Sequence, residues 1–279
     1  MNADRDLSLR AMTDDGSLRV IVVDVTETVR ESARAQRADA AEAKWLGDLI
    51  AGTVMIRETM SPDLRVQGIL QIGAGAFVAD SHPDGGSRGL IQRGSKASSA
   101  DGARLQMMRT LPRGSVQQGI VRVDERVGVS DALMRYLQHS EQVESALAVS
   151  TLVQGGEVIA AGGYLIQLLP ELDEATLALV TARLQAFPTM EALQGGAATV
   201  DGVMAMLLEH LPFTELARGP LRFQCRCDRA RLIQALASVG RGELESMIAE
   251  AKPLEIGCDY CNAQYTLEVS ELIPLLQPN

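Results

Sequence analysis

Four cysteines, and no others in 279 residues, lie in the last fifth of the chain as Cys225-x-Cys227, a 30-residue gap, and Cys258-x-x-Cys261. Any fold of this chain must therefore bring two distant segments to one point. Cysteines used for packing would be scattered, and structural disulfides are rare in a reducing cytosol. Clustered cysteines there point to metal binding or redox chemistry. Four thiolates suit the tetrahedral preference of structural zinc, and a Cys-x-x-Cys turn lets two sulfurs face one ion. The Cys-x-Cys half departs from paired zinc-ribbon knuckles and sets two sulfurs close together in an extended segment. One Zn2+ per chain is the expected cofactor of the reduced form.

A unit of some 55 residues around this site seldom draws more than roughly 3–5 kcal/mol from its core. A zinc-thiolate centre supplies about 10–16 kcal/mol of apparent free energy. Losing the metal should then unfold the segment. Zinc-bound sulfurs are already deprotonated and open to peroxide or hypochlorous acid. The near neighbours Cys225–Cys227 and Cys258–Cys261 can then close two disulfides. Inert structural zinc, a dithiol enzyme using Cys258–Cys261, and plain buried cysteines are the competing readings.

The rest of the chain bounds the answer. Charged residues make up 22% and the net charge is −10, which argues against a general affinity for phosphate backbones. Aromatics are 3%, so aliphatic side chains must fill the core. Met1–Arg10 lacks the apolar core of a secretory signal, and no apolar run is long enough for a membrane span. A cytoplasmic protein with no membrane partner is expected.

Apolar periodicity gives the fold class as α+β. Residues 1–170 read as a mixed α/β domain with a largely antiparallel sheet. Strands are expected at Leu18–Val25, Leu64–Ile72, Leu105–Arg109 and Val116–Val123, and a hairpin at Val143–Val153 and Glu157–Leu169 around Gly155–Gly156. Trp45, Leu46, Leu49 and Ile50 mark a helix, which Pro62 ends. Gly73–Gly75 and Asp84–Gly86 read as turns, Pro112–Gly114 as a connection, and Leu90–Gly102 as a polar loop. Ser130 is the expected cap of a helix carrying Leu133, Met134 and Leu137. Strand signals fade over 171–220, which reads as a helical linker packed on the sheet. Asp173 caps its first helix, and Val200–Leu208 is another. Residues 221–279 read as the zinc domain, with helices after Asp228 and from Gly242 to Ala251, a strand at Gln264–Val269, and a last turn capped by Ser270.

No other chemistry emerges. His82, His139 and His210 are far apart and fit no catalytic motif. Gly73-x-Gly75 lacks the rest of a dinucleotide fingerprint. Asp24 reads as a strand-end group, and Met60, Met107, Met108, Met134, Met204 and Met247 as core filling. No catalytic residues are assigned, and the chain is not expected to be an enzyme.

At the cysteines the chain resembles a known family, the 33-kDa heat-shock protein, a redox-regulated bacterial chaperone. Phe223-Gln224-Cys225-Arg226-Cys227, followed by a helix with Arg231 and Leu236, is similar to its zinc-domain entry. Gly240–Ile248, Cys258-Asp259-Tyr260-Cys261-Asn262 and Tyr265 are similar to its exit. Tyr136 with Ser140-Glu141-Gln142, and Ala161-Gly162-Gly163 with Gln167 and Pro170, match further signatures. Gly73-Ala74-Gly75-Ala76 departs from the family's Gly-Asp-Gly-Pro-like turn, and a Lys-Asp usual after Met108-Arg109 is missing. The resemblance implies an ATP-independent holdase, inactive with zinc bound. Oxidation with unfolding stress would release zinc, unfold the C-terminal unit and destabilise the linker. The protein would then dimerise and hold unfolded clients. The alternative function is a zinc-ribbon-like adaptor for protein or nucleic acid, drawn from Arg222, Arg226, Arg229, Arg231 and Arg241.

Overall fold

The computed structural model describes residues 6–60, 64–73, 75–94, 102–111, 114–124, 128–237 and 239–276. The chain divides into two compact units, Met1–Gln224 and Cys225–Asn279.

The larger unit is built on two sheets. The first has five antiparallel strands: β1 (Leu7–Thr13), β2 (Leu18–Asp24), β8 (Ser145–Gln154), β9 (Glu157–Leu168) and β10 (Phe213–Pro220), in the order β10-β1-β2-β9-β8. The second contains β3 (Arg65–Ile72), β4 (Gly75–Ser81), β5 (Gly86–Gln92), β6 (Arg104–Thr110), β7 (Val116–Arg122) and the short β11 (Arg222–Phe223). Its order is β11-β5-β4-β3-β6-β7, antiparallel except where β11 joins β5. The expected single sheet is thus two.

Helix α2 (Ala40–Glu58) explains how they share one core. It packs on β2, β8 and β9 of the first sheet and on β3, β4 and β5 of the second. A helix covered on both sides has no polar stripe to show. Leu46, Leu49, Ile50, Val54, Met55 and Ile56 are all buried around its circumference. Its start is fixed by a capping box in which the Asp39 carboxylate accepts from the Glu42 N–H at 2.8 Å and Glu42 accepts from the Asp39 N–H at 3.0 Å. A Cβ on Gly52 would lie 2.1 Å from Leu133 Cδ1, so only glycine lets α3 (Gly128–Tyr136) approach this closely. Helix α1 (Thr26–Gln36) follows Asp24, whose Oδ1 accepts from the Thr26 N–H and hydroxyl at 2.9 and 2.6 Å.

The other face of the first sheet is covered by α4 (Glu174–Ala186), α5 (Met190–Gly195) and α6 (Val200–Leu207). Leu9, Ala11, Leu18, Val20, Val22, Tyr164 and Ile166 of the sheet form one cluster with Val180, Met190, Leu193, Val203, Met204 and Leu207 of these helices. Strand β2 is therefore buried on both faces, since Ile21 and Val23 belong to the first core. That is why Leu18–Val25 reads as a near-continuous apolar run and does not alternate. Each helix starts with a side-chain cap: Asp173 accepts from Thr176 N–H, Thr189 from Ala192 N–H, and Thr199 from Gly202 N–H.

Several expectations need correction. Residues 171–220 are not helical throughout, because Phe213–Pro220 forms β10 on β1. Leu90–Gln92 belong to β5 and not to a loop. Ser130 lies inside α3, and its Oγ accepts from the Val149 N–H at 3.1 Å. Helix α3 continues as one π-turn, Leu137–Glu141. The β8–β9 hairpin turns at Gly155 and Gly156, both with positive φ (60° and 84°), as a tight hairpin requires. Pro62, Ala74 and Pro112 lie outside the described residues, as does 95–101 of the expected loop. Among the described residues no helix is long and apolar enough to cross a membrane.

The second sheet carries one buried charge. The Asp80 side chain is fully enclosed between Arg65 and Arg88, with His82 against it at 3.3 Å. Arg65 donates to Oδ1 at 2.6 Å and to Oδ2 at 3.0 Å. Burial alone would raise this carboxyl, but the His82 and Arg65 hydrogen bonds outweigh it and hold the group well below the usual carboxylate range. A depressed folded pKa contributes stability above the unfolded value of about 3.9 and loses it as pH falls. Asp80→Asn should cost about 1.5–3 kcal/mol near neutrality, because it removes charge-assisted hydrogen bonds from a buried carboxylate to two partly exposed guanidinium groups. The gap to the parent should narrow below about pH 4. Denaturant titrations at both pH values measure this.

Candidate metal centre

The smaller unit has little to hold it together by burial. Leu244, Leu267 and Leu272 are its buried core, with Ile233, Leu236, Ile248, Leu254 and Ile256 partly buried against them. Its elements are α7 (Arg229–Leu236), α8 (Arg241–Ala249), the β12 (Leu254–Gly257) and β13 (Gln264–Leu267) pair, and α9 (Val269–Leu272). Asp228 caps α7 as expected, accepting from Arg231 N–H at 2.8 Å. Ser270 does not cap α9. Glu268 does, in a capping box with Glu271. Arg229 reaches across to Glu271, with Nε to Oε1 at 2.8 Å.

Local backbone geometry places the sulfurs. Cys225 and Cys227 lie on a short segment outside any helix or strand that leads to the α7 cap. Cys258–Cys261 follows β12 on a tight turn. Its ends are tied by Cys258 N–H to Ala263 O at 2.9 Å and Asn262 N–H to Cys258 O at 2.8 Å. Asn262 takes the left-handed conformation at φ 58°, which asparagine tolerates better than most residues. The two segments meet. Sγ of Cys225 lies 3.4 Å from that of Cys227 and 3.6 Å from that of Cys258, and Cys227 and Cys261 are 3.3 Å apart. All four sulfurs fall within 4.8 Å of one another.

These distances test the fit of a metal. A tetrahedral ion with metal–sulfur bonds of about 2.3 Å needs sulfurs about 3.8 Å apart. A disulfide needs about 2.05 Å. The observed spacing matches a four-thiolate cage, and the four cysteines are half-buried with no disulfide among them. So Cys225, Cys227, Cys258 and Cys261 form a cluster able to hold one metal ion.

The electrostatics agree. Burial pushes the Cys258 thiol up, the neighbouring Cys225 and Cys227 add to this, and the N–H groups of Cys261 and Tyr260 pull it down. Burial also raises Cys261, reinforced by the other three thiols and opposed by the Ala263 N–H. The Cys258 and Cys261 thiols therefore hold their protons more tightly than a free cysteine, and a bound cation would favour their thiolates. A group that the sequence marked only by resemblance joins them. Tyr265 Oη donates toward Cys227 Sγ at 3.3 Å and Cys227 O at 3.2 Å. The bond to Cys227 pushes the phenol up to about 12. Tyr265 and Leu267 point to one side of β13, and that alternation was the available signal.

Nothing similar forms elsewhere among the residues singled out from sequence. His82 lies against Asp80, His139 Nδ1 is 2.9 Å from Arg135 O, and His210 is exposed. Met107 and Met204 are buried core residues.

A two-sheet α+β unit followed by a small unit with a four-cysteine cluster defines a class of protein whose smaller part carries a site able to hold a metal ion. The family model described as Hsp33 protein matches residues 6–268, and the chain belongs to that family. It is 29% identical to the 33 kDa chaperonin of Enterococcus faecalis, with 97% of this chain and 96% of that protein covered. It is 28% identical to the 33 kDa chaperonin of Syntrophotalea carbinolica, over 98% and 99%. The crystal structure of the Thermotoga maritima Hsp33 homologue shares the fold, with a TM-score of 0.83 at 20% identity over 98% of both chains.

Cobalt(II) added to the reduced chain should bind at one equivalent and give tetrahedral thiolate absorption, and Cys258→Ser should abolish it. Binding should release protons, so apparent affinity should rise with pH. Calorimetry in buffers of different ionisation heat counts the protons.

Proposed function

We propose that this chain is a redox-switched, ATP-independent holdase that keeps unfolding proteins from aggregating in the cytoplasm. The observation that carries the reading is the four-sulfur cage on a unit with three buried core side chains. Its relatives' name, 33 kDa chaperonin, supports the chaperone part.

In this reading the resting metal is Zn2+, one per chain, held by Cys225, Cys227, Cys258 and Cys261. Zinc, when bound, supplies the positive charge that keeps the four sulfurs as thiolates and adds folding energy the small core lacks. Oxidant takes two electrons from each sulfur pair, forming Cys225–Cys227 and Cys258–Cys261 disulfides and leaving no thiolates to hold the ion. The unit from Cys225 onward then loses its organising centre.

The functional division is a client-binding domain at 1–170, a linker at 171–220 whose three helices are followed by β10, and the switch at 221–279. The linker helices cover the apolar outer face of the five-stranded sheet. In this mechanism, unfolding of the switch frees that cover, and the exposed apolar surface binds clients and a second oxidised copy. No catalytic machinery is assigned. Nucleic acid is not a partner in this reading, because three arginines of the switch are matched by carboxylates, in Arg229–Glu271, Arg231–Asp228 and Arg241–Glu245.

The test couples two readouts. Reduced, zinc-loaded chain is treated with hypochlorous acid at mild heat. A chromogenic chelator should report one zinc released as light scattering from a denatured client falls, and thiol reductant should reverse both. Zinc release without suppressed aggregation would leave a purely structural site. A salt-sensitive gel shift would instead favour the adaptor reading.

A further inference from the structure

The half-sites of the cage are braced differently. Cys258 faces the N–H groups of Tyr260 and Cys261, and Cys261 faces that of Ala263, so these sulfurs are held by the backbone of their own turn. Cys227 receives a side-chain donor from the opposite half of the unit. Tyr265, four residues beyond Cys261 on β13, places Oη 3.3 Å from Cys227 Sγ and 3.2 Å from Cys227 O. This contact joins the Cys-x-Cys half to the Cys-x-x-Cys half without using the metal.

From this geometry we infer that Tyr265 is a positioning residue that holds Cys227 in the cage and sets the oxidant threshold at which the metal leaves. The inference rests on the zinc-thiolate reading of the cluster. A hydrogen bond to a thiolate is charge-assisted and stronger than a neutral one. It draws electron density from sulfur, so the thiolate attacks an oxidant more slowly. It also orients the ligand, as partners of metal ligands commonly do. Backbone donors cannot be removed by mutation, but this one can.

The chemistry is balanced as follows. One thiolate attacks peroxide, the O–O bond breaks, and sulfenic acid and hydroxide form. The neighbouring thiolate displaces hydroxide from that sulfur, and the S–S bond closes. Two sulfurs lose two electrons, peroxide gains them, and two protons from solvent convert both hydroxides to water. Tyr265 acts before the first step, on the electron density and position of Cys227.

Tyr265→Phe keeps the ring and removes only the donor. In the full zinc-loaded chain under excess peroxide, chelator-detected zinc release should be about tenfold faster than in the parent, the scale set by outer-shell partners of metal ligands. In the cobalt-loaded chain, the sulfur-to-cobalt charge-transfer band should move to lower energy, because Cys227 becomes more electron-rich. Release rates within twofold would overturn the inference. Faster release with an unmoved cobalt band would also overturn it, because the effect would then lie in packing or at the Cys227 carbonyl. A parent chain that takes up neither metal would overturn the metal reading itself. A parent that binds and releases zinc but does not protect clients would overturn only the holdase function.

Discussion

Four sulfurs within 4.8 Å are an unstable arrangement for charge. Thiolates that close repel one another, and neutral thiols there are half-buried groups with weak hydrogen bonds. Three states relieve the crowding: protons on the sulfurs, a dication among them, or covalent S–S bonds that pull them together in pairs. Only the dication holds all four sulfurs at once. Among the described residues the small unit has three buried leucines, so in the proposed switch its fold depends on which of these states the sulfurs adopt. In the proposed switch, a change of two electrons at a pair of atoms would govern some fifty residues.

The larger unit has no such dependence. Helix α2 is enclosed between two sheets and supplies a continuous aliphatic core, and the Asp80 cluster adds a polar tie inside the second sheet. Division of labour follows from where apolar area lies. Most of the buried apolar side chains lie in the larger unit, and in the proposed switch the smaller one is conditional on its sulfurs. The helices on the outer face of the five-stranded sheet belong to the larger unit but lie in sequence immediately before the conditional one.

What could be read from sequence was what local pattern encodes. The cysteine spacing defined the cage, because four ligand residues of one chemistry in two close pairs admit few arrangements. The β8–β9 hairpin was legible from Gly155–Gly156, and the caps of α4 and α7 from Asp173 and Asp228. Strand β10 was not. Phe213–Pro220 carries Gly219 and Pro220, is mostly exposed, and pairs only along β1, with a bulge at Arg10/Ala11. Tertiary pairing forms it, against weak local preference. Ser130 and Ser270 resemble caps by type, but each helix starts earlier, and α9 uses Glu268. The partition into two sheets was hidden because α2 is apolar on every side, so no stripe indicated how many surfaces it faced. The Tyr265 contact with Cys227 spans 38 residues, and no short-range pattern reports such a pair.

Strand β2 lies inside its sheet, bonded along its length to β1 on one side and to β9 on the other. Its outward Val20 and Val22 meet the covering helices through side chains alone. Were those helices to lift, this strand would present an oily face with every backbone group already engaged. Such a surface can adhere to another chain's side chains but cannot template a new strand on itself. Stickiness and seeding, which usually come together in exposed β-structure, are separated here by the position of one strand.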